Sequence, residues 1–446
     1  MSIYKECDIR GIYGQDLDDE TAYLIGRAVG THLSERSIVV GGDARRSTPA
    51  LTRQLIKGLH QSGAHIIDLG LIPTPLMYFA KKVLKSAGGI MITASHNPAE
   101  YNGFKIMFGK WPVQPQDLKN LKEKIDKKLF IEKIGTIKTY SIEKEYSDFI
   151  LPRVKPQRKL KVVLDAGNGA LSKLAPQLFR EAGHEVIELY CTFDGNFPNR
   201  NPNPAVYTNL TALQRRVVSE EADLGVAFDG DGDRVVFVDN RGRYCESERS
   251  FVVLIEEYLK NRTSSVVYDG KSSSIVKNCI TKLGSQPIIE RSGHAFIKRA
   301  FLENNSELAG EISGHFFFKE LGFDDALYAA LIMSKILSRK NLSMAEIMDG
   351  IEKTIITPDL RIKMEEDTIV DLIEDLSSYE DKYPVSRLDG IRVIFPHGWI
   401  LVRRSVTEPC ITIRLEAKTL KFAKEISRSV FNDKYDSINR AILKSL

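Results

Sequence analysis

Asp229, Asp231 and Asp233 alternate with glycines in the run Asp229-Gly230-Asp231-Gly232-Asp233-Arg234. In an extended stretch, side chains two residues apart point the same way, so the spacing predicts three carboxylates converging on one point. Anions packed so closely repel one another unless a cation sits among them, and hard oxygen ligands suit Mg²⁺. A calcium EF-hand is excluded: counting from Asp229 puts Arg234 where Gly is required and Asn240 where Glu is required. Ser95 stands in Thr93-Ala94-Ser95-His96-Asn97-Pro98, where a lone serine reads as a turn residue. Close to a carboxylate-bound cation it becomes a phosphoryl acceptor, because the cation neutralises the group being moved. Lys105 can add positive charge there. Arg403, Arg404, Ser405 and Thr407 crowd donors around one loop, the composition of a phosphate clamp. Glu311, Ser313 and His315 offer acceptors and donors suited to sugar hydroxyls, and His294 follows Gly293 with weaker support from spacing.

These residues need a scaffold, and a threefold repeat supplies it. Short β-branched runs ending in Asp occur at Ile38-Val39-Val40 to Asp43, at Val162-Val163-Leu164-Asp165 and at Val266-Val267-Tyr268-Asp269. An amphipathic segment follows each run. In the first, Thr48 is expected to cap, Pro49 to open the helix, and Gly63 to stop it. Another strand, another helix and a third strand follow every time, which implies βαβ units and largely parallel sheets. Each third strand leads into one of the loops above: 93–98, 229–234 and 310–315. Ligands in such sheets bind beyond the carboxyl ends of the strands, so the three loops are expected to wall one cleft. Beyond about Pro358 the repeat breaks, and a smaller α+β unit is expected.

The resulting expectation is an α/β protein of three similar α/β domains with mixed, largely parallel sheets plus a smaller C-terminal α+β domain around one cleft. The expected domains are 1–146, with the serine loop; 147–248, with the carboxylate loop; 249–358, with the Glu311 loop; and 359–446, with the Arg403 loop. At 446 residues the chain is long enough for several domains. Lys plus Arg total 63 against 59 for Asp plus Glu, a balance that gives no reason to expect nucleic acid or an anionic membrane as partner. The five cysteines lack the spacing of a zinc or redox motif. No apolar run is long enough to span a bilayer, and the start of the chain has no signal core. A cytoplasmic location follows as the expectation.

Taken together, the four loops resemble the α-D-phosphohexomutase superfamily over nearly the whole chain. Residues 93–98 are similar to its phosphoserine loop, 229–234 to its magnesium loop, 310–315 to its sugar loop and 403–409 to its phosphate loop. Asp8-Ile9-Arg10-Gly11 resembles the family's start, where the arginine faces the active-site phosphate. Gly310-Glu311-Ile312-Ser313-Gly314-His315 resembles the phosphomannomutase/phosphoglucomutase group. Phosphoglucosamine mutases, the nearest alternative, place Gln where Ile312 stands. Val406 departs from the family's usual Gly or Asn, so an altered backbone is expected there.

The resemblance implies an isomerase that interconverts hexose 1-phosphate and hexose 6-phosphate, of mannose and/or glucose. Phosphorylated Ser95 would give its phosphoryl group to the substrate, and a hexose 1,6-bisphosphate intermediate would turn over before returning the other phosphate. It implies Mg²⁺ held by Ser95, Asp229, Asp231 and Asp233. Arg10, Lys105, His294 and His315 are the implied catalytic residues, with the proton carrier left open among the last three. Arg234, Lys271, Glu311, Ser313, Arg403, Ser405 and Thr407 are the implied substrate contacts. Partners reduce to small hexose phosphates, with the chain a monomer or weak homodimer. Phe228-Asp229-Gly230-Asp231 also resembles haloacid-dehalogenase phosphotransferases, with Asp324-Asp325 downstream, but that rival leaves the Ser95 and Arg403 loops unexplained. A non-catalytic sugar-phosphate-binding protein would need no nucleophile at all.

Overall fold

The computed structural model describes residues 3–404, 410–431 and 433–446. Ser405, Val406 and Thr407 of the Arg403 loop therefore lie outside the described residues. Four sheets follow one another along the chain.

In the first sheet Ser37–Gly42 pairs in parallel with both His65–Leu71 and Gly88–Ile92, and Tyr101–Phe108 returns antiparallel to Gly88–Ile92. The second repeats the plan. Lys161–Asp165 lies parallel to Glu185–Leu189 and Leu224–Phe228, and Val235–Asp239 returns antiparallel. So does the third, with Ser265–Asp269 parallel to Gln286–Glu290 and Leu308–Gly310, and Phe316–Phe318 returning antiparallel. The predicted repeat is real, and each chemistry-bearing loop is the connection from the third parallel strand to its antiparallel return. Ile38, Val39, Val40, Val162, Val163, Leu164, Val266 and Val267 are all fully buried. Such continuous apolar runs are what strands covered on both faces require.

The strand-end aspartates close the turns that follow. Asp43 Oδ1 accepts the Arg45 N–H and Asp165 Oδ1 accepts the Gly167 N–H, two residues on in both cases. Thr48 is not the helix cap that its position suggested. It is the first residue of the helix Thr48–Gln61, Ser47 holds the cap position without a side-chain bond to the helix, and the Thr48 hydroxyl instead donates to Asp43 Oδ1 at 2.9 Å. A fully buried carboxylate needs donors more than a helix end that water can reach.

The last sheet is wholly antiparallel: Ile355–Ile356 and Leu360–Lys363 both pair with Cys410–Ala417, which continues through Gly398–Arg404 and Ile391–Phe395 to Val385–Ser386. Glu366–Ser377, Leu420–Val430 and Asp436–Ser445 cover it around a core of its own. By contrast, one core runs through the first three sheets, from Val39 to Met348. Three units so joined present their loops in fixed relation, while the fourth is attached through polar contacts. Among these are Arg414 Nη2 to Glu248 Oε1 at 2.7 Å and the Ser274 N–H to Glu416 Oε2 at 2.8 Å. Among the described residues no helix is long and apolar enough to cross a membrane.

Candidate active site

The loops at 93–100 and 229–234 meet. Ser95 Oγ donates to Asp229 Oδ2 at 2.9 Å. A Cβ on Gly230 would lie 2.5 Å from the Ser95 carbonyl oxygen, so the glycine is what lets the two backbones approach. The carboxylates of Asp229, Asp231 and Asp233 converge with ligand atoms within 4.8 Å of one another, all buried. The reason differs from the expected extended stretch. Asp229 Oδ1 accepts the N–H groups of Gly232, Asp233 and Arg234, so the loop is a turn wrapped around that carboxylate between two antiparallel strands.

The remaining oxygens are unequally supplied. Asp231 Oδ2 accepts from Thr74 Oγ1 at 2.6 Å and from Lys105 Nζ at 2.7 Å, and Lys105 also contacts Asp233 Oδ2. Asp231 Oδ1 is buried with no hydrogen-bond partner among the described residues, and Asp233 Oδ1 is buried with only the His315 imidazole near it, at 3.2 Å. Buried carboxylate oxygens without partners are costly. Those atoms, the Asp229 carboxylate and Ser95 Oγ make an all-oxygen set that fits a hard divalent cation. The acidic cluster can hold a metal.

Electrostatics follow from the crowding. Burial, then Asp233 and Asp231, push the Asp229 carboxyl well above its ordinary range. Burial opposes ionisation of Asp233 too, but Lys105 and His315 outweigh it and hold the group well below that range. Lys105 is raised well above the usual lysine value, because Asp231 and Asp233 outweigh its burial.

The 311–315 loop completes this cluster. His315 Nε2 stands 3.2 Å from Asp233 Oδ1, and its Nδ1 lies 2.9 Å from both Glu311 Oε2 and Ser313 Oγ. Burial disfavours the imidazolium, yet the contacts with Asp233 and Glu311 raise its pKa to about 10. Glu311 Oε1 accepts the Gly293 N–H at 2.9 Å, which brings His294 alongside, its ring centroid 5.2 Å from that of His315. Arg234 Nε is 3.9 Å from Asp229 Oδ2. Arg10 reaches the serine loop through Asn97 Oδ1 at 2.6 Å.

Two expected contacts stand apart from this cluster. Lys271 Nζ pairs with Asp359 Oδ2 at 2.6 Å, at the seam between the third and fourth sheets. Arg403 Nε pairs with Asp389 Oδ1 at 2.7 Å, and the other oxygen of Asp389 accepts the Ser292 N–H at 2.9 Å. Arg403 and Arg404 nevertheless face the rest of the molecule across a cleft of about 620 Å³ bounded also by Glu6, Arg291 and Asp389.

Sequence reasoning missed three residues. Thr74 pins the carboxylate loop with both its hydroxyl and its N–H, the latter to the Asp231 carbonyl. Asp324, weighed only within the dehalogenase-like pair, is fully buried and holds His294 Nε2 at 3.0 Å. Arg45, buried behind the serine loop, is the third. Only Asp324 carried a usable signal, an Asp-Asp pair just after the aromatic strand.

Residues 1–132, 144–242 and 247–354 match, in order, the phosphoglucomutase/phosphomannomutase alpha/beta/alpha domains I, II and III. The chain belongs to the phosphoglucomutase/phosphomannomutase family. A phosphomannomutase/phosphoglucomutase of Pseudomonas aeruginosa is 38% identical over 449 residues, 99% of this chain and 97% of its own length. A phosphoglucomutase of Neisseria gonorrhoeae is 37% identical, covering 94% of this chain and 93% of its own. A crystal structure of a phosphoglucomutase/phosphomannomutase family protein from Burkholderia thailandensis superposes with a TM-score of 0.90 at 33% identity, covering 99% of this chain and 97% of that one. The enzyme is a phosphohexomutase, an isomerase that interconverts hexose phosphates. An aspartate-nucleophile phosphotransferase and a non-catalytic binding protein are thereby set aside.

Proposed function

We propose that Ser95 carries the phosphoryl group between the 1- and 6-positions of a hexose, with a hexose 1,6-bisphosphate as the intermediate. The observation that carries this reading is the 2.9 Å contact between Ser95 Oγ and Asp229 Oδ2 beside the buried Asp231 Oδ1, which has no hydrogen-bond partner among the described residues. Asp229, Asp231, Asp233 and the Ser95 oxygen would hold Mg²⁺, whose charge offsets that of the transferring group. In the first half-reaction the Ser95 Oγ–P bond breaks, a bond forms from phosphorus to the substrate's free hydroxyl oxygen, that hydroxyl loses its proton and the serine oxygen gains one. In the second the other substrate O–P bond breaks, the Ser95 Oγ–P bond re-forms, and the proton passes from the serine to the released hydroxyl.

Lys105, held charged between Asp231 and Asp233, supplies positive charge, and His315 moves the proton at Nε2. Arg10 and Arg234 face the reacting phosphate, while Glu311 and Ser313 hold the 3- and 4-hydroxyls that glucose and mannose share. Lys271, Arg403, Ser405 and Thr407 take the non-reacting phosphate, with Arg403 exchanging Asp389 for it as the last domain closes. The functional units run 1–146, 147–248, 249–358 and 359–446. The enzyme acts on free hexose phosphates in the cytoplasm, as a monomer or weak dimer.

Turnover of Ser95→Ala tests the reading. Activity should disappear, and thorough chelation of the native enzyme should abolish turnover until Mg²⁺ is restored. A fully active Ser95→Ala enzyme, or turnover that survives chelation, would contradict it.

A further inference from the structure

Arg45 is 1% exposed, and each of its five N–H groups has an acceptor. Nε donates to Asp43 Oδ2 at 3.1 Å. The other four donate to backbone carbonyls of the loop that carries Ser95 and of the strand residue that ends it: to Ser95 itself at 3.0 Å, to Asn97 at 2.6 Å, to Pro98, and to Tyr101 at 2.9 Å. A guanidinium is a rigid planar fork, so carbonyls bound to it are fixed relative to one another.

Asp43 reaches the same loop from its other end. Its Oδ2 accepts from Thr93 Oγ1 at 2.7 Å, and Thr93 Oγ1 in turn accepts the Ser95 N–H at 2.8 Å. The amide on one side of Ser95 is thus held by Thr93 and the carbonyl on the other by Arg45, with Asp43 joining the two. Ser95 has φ +51°, a left-handed backbone that residues bearing a Cβ disfavour. Such a conformation persists where its surroundings over-determine it.

The second domain covers this ring. The Phe197 ring centroid lies 5.0 Å from the Arg45 guanidinium carbon, and a Cβ on Gly195 would lie 2.4 Å from the Ala44 carbonyl oxygen. The same domain supplies Asp229, so Arg45 and the carboxylate loop share one support.

We infer that Arg45 and Thr93 are positioning residues: they set Ser95 Oγ against Asp229 through the loop backbone, without touching substrate. The inference rests on the reading that Ser95 carries the phosphoryl group. A buried arginine that merely stabilises the fold would spread its bonds over several elements; here every backbone acceptor lies between residues 95 and 101. Displacing a reacting atom by about 1 Å costs on the order of 100-fold in rate.

The test uses the whole enzyme as native protein, Arg45→Lys and Thr93→Val. Each is loaded with phosphate from glucose 1,6-bisphosphate, the phosphoserine is located by peptide mapping, and its loss on mixing with glucose 1-phosphate and Mg²⁺ is followed by rapid quench. Lysine keeps the charge beside Asp43 but not the fork, and valine keeps the shape of Thr93 but not its acceptor. Both variants should lose phosphate from Ser95 roughly 10- to 100-fold more slowly per phosphorylated molecule, with KM within about twofold of native. A purely structural role would lower the melting temperature and leave that rate alone. Should Arg45→Lys fail to fold, Thr93→Val decides. Variants phosphorylated on Ser95 that transfer at the native rate overturn the positioning role and leave the phosphoserine standing. Native enzyme that never carries phosphate on Ser95 overturns the phosphoserine itself.

Discussion

His315 Nε2 stands 3.2 Å from Asp233 Oδ1, so one imidazole joins the sugar-facing loop to the carboxylate loop. Asp324 backs this contact. Its Oδ2 lies 3.8 Å from the same Nε2, while its Oδ1 pairs with His294 at 3.0 Å. Asp324→Asn keeps the shape and removes the charge that orients both rings. It should lower kcat with little change in KM, by up to the roughly 100- to 10,000-fold that proton transfer by a positioned side chain contributes. Steady-state kinetics check this; a native kcat would remove Asp324 from the site.

Arg403 gives a complementary signature. Its guanidinium is held by Asp389 rather than by the reacting cluster. Arg403→Ala should weaken hexose 1-phosphate and hexose 6-phosphate alike, by roughly 10- to 100-fold in KM, the scale of a charge-assisted hydrogen bond. Loss for only one of the two isomers would mean that the phosphate is not held by the same residue in both orientations.

Glu311 and Ser313 lie within one loop whose contacts run to Gly293 and His315, and the proposal assigns them the shared 3- and 4-hydroxyls. Glucose and mannose phosphates differ only at carbon 2, so kcat/KM on glucose 1-phosphate and mannose 1-phosphate should be comparable. Deoxygenation at carbon 3 or 4 should cost far more, roughly 10⁴-fold in favourable cases, because the site's polar groups are left unpaired. A preference of several orders of magnitude for one sugar, or for glucosamine 1-phosphate over both, would contradict this.

Acid stability has a separate origin, away from the site. His184 is buried, its Nδ1 accepts the Leu160 N–H at 3.3 Å, and burial lowers its pKa to about 4. The unfolded chain, with histidine near its ordinary value, binds the proton first as pH falls. Stability is therefore complete above about pH 6.5 and is lost progressively down to about pH 4. Between pH 7.5 and pH 5 this amounts to about 2 kcal/mol. His184→Gln, which keeps the acceptor and cannot titrate, should lose about that much less over the same interval in urea denaturation. Parallel curves for the two proteins would show that folding leaves the His184 pKa unchanged and would contradict this account.

Much of the architecture was legible because its cause is local. Val39, Val163 and Val267 sit in runs that only a buried strand tolerates, and the Asp ending each run recurs at the same place in all three copies. Convergence of Asp229, Asp231 and Asp233 was legible too, although an extended stretch was the wrong reason for it: the loop winds around Asp229 Oδ1. Asp324 was visible only as half of an Asp-Asp pair, and Arg45 and Thr74 were not legible at all, because their partners are distant in sequence or are backbone atoms. Thr74 acts on Asp231 across 157 positions, and four of the five bonds of Arg45 go to carbonyls that every residue possesses. Thr48 was misread for a related reason: a buried Asp43 claimed the hydroxyl that a free helix end would have used.

Phosphopeptide mapping tests most directly whether Ser95 is the phosphoryl carrier. Enzyme incubated with glucose 1,6-bisphosphate labelled in its phosphates, then digested and sequenced by mass spectrometry, should carry a single label on the peptide containing Ser95. That label should be lost when glucose 1-phosphate and Mg²⁺ are added. Label on Asp229, or turnover at the native rate by enzyme in which Ser95 is never phosphorylated, would contradict the account.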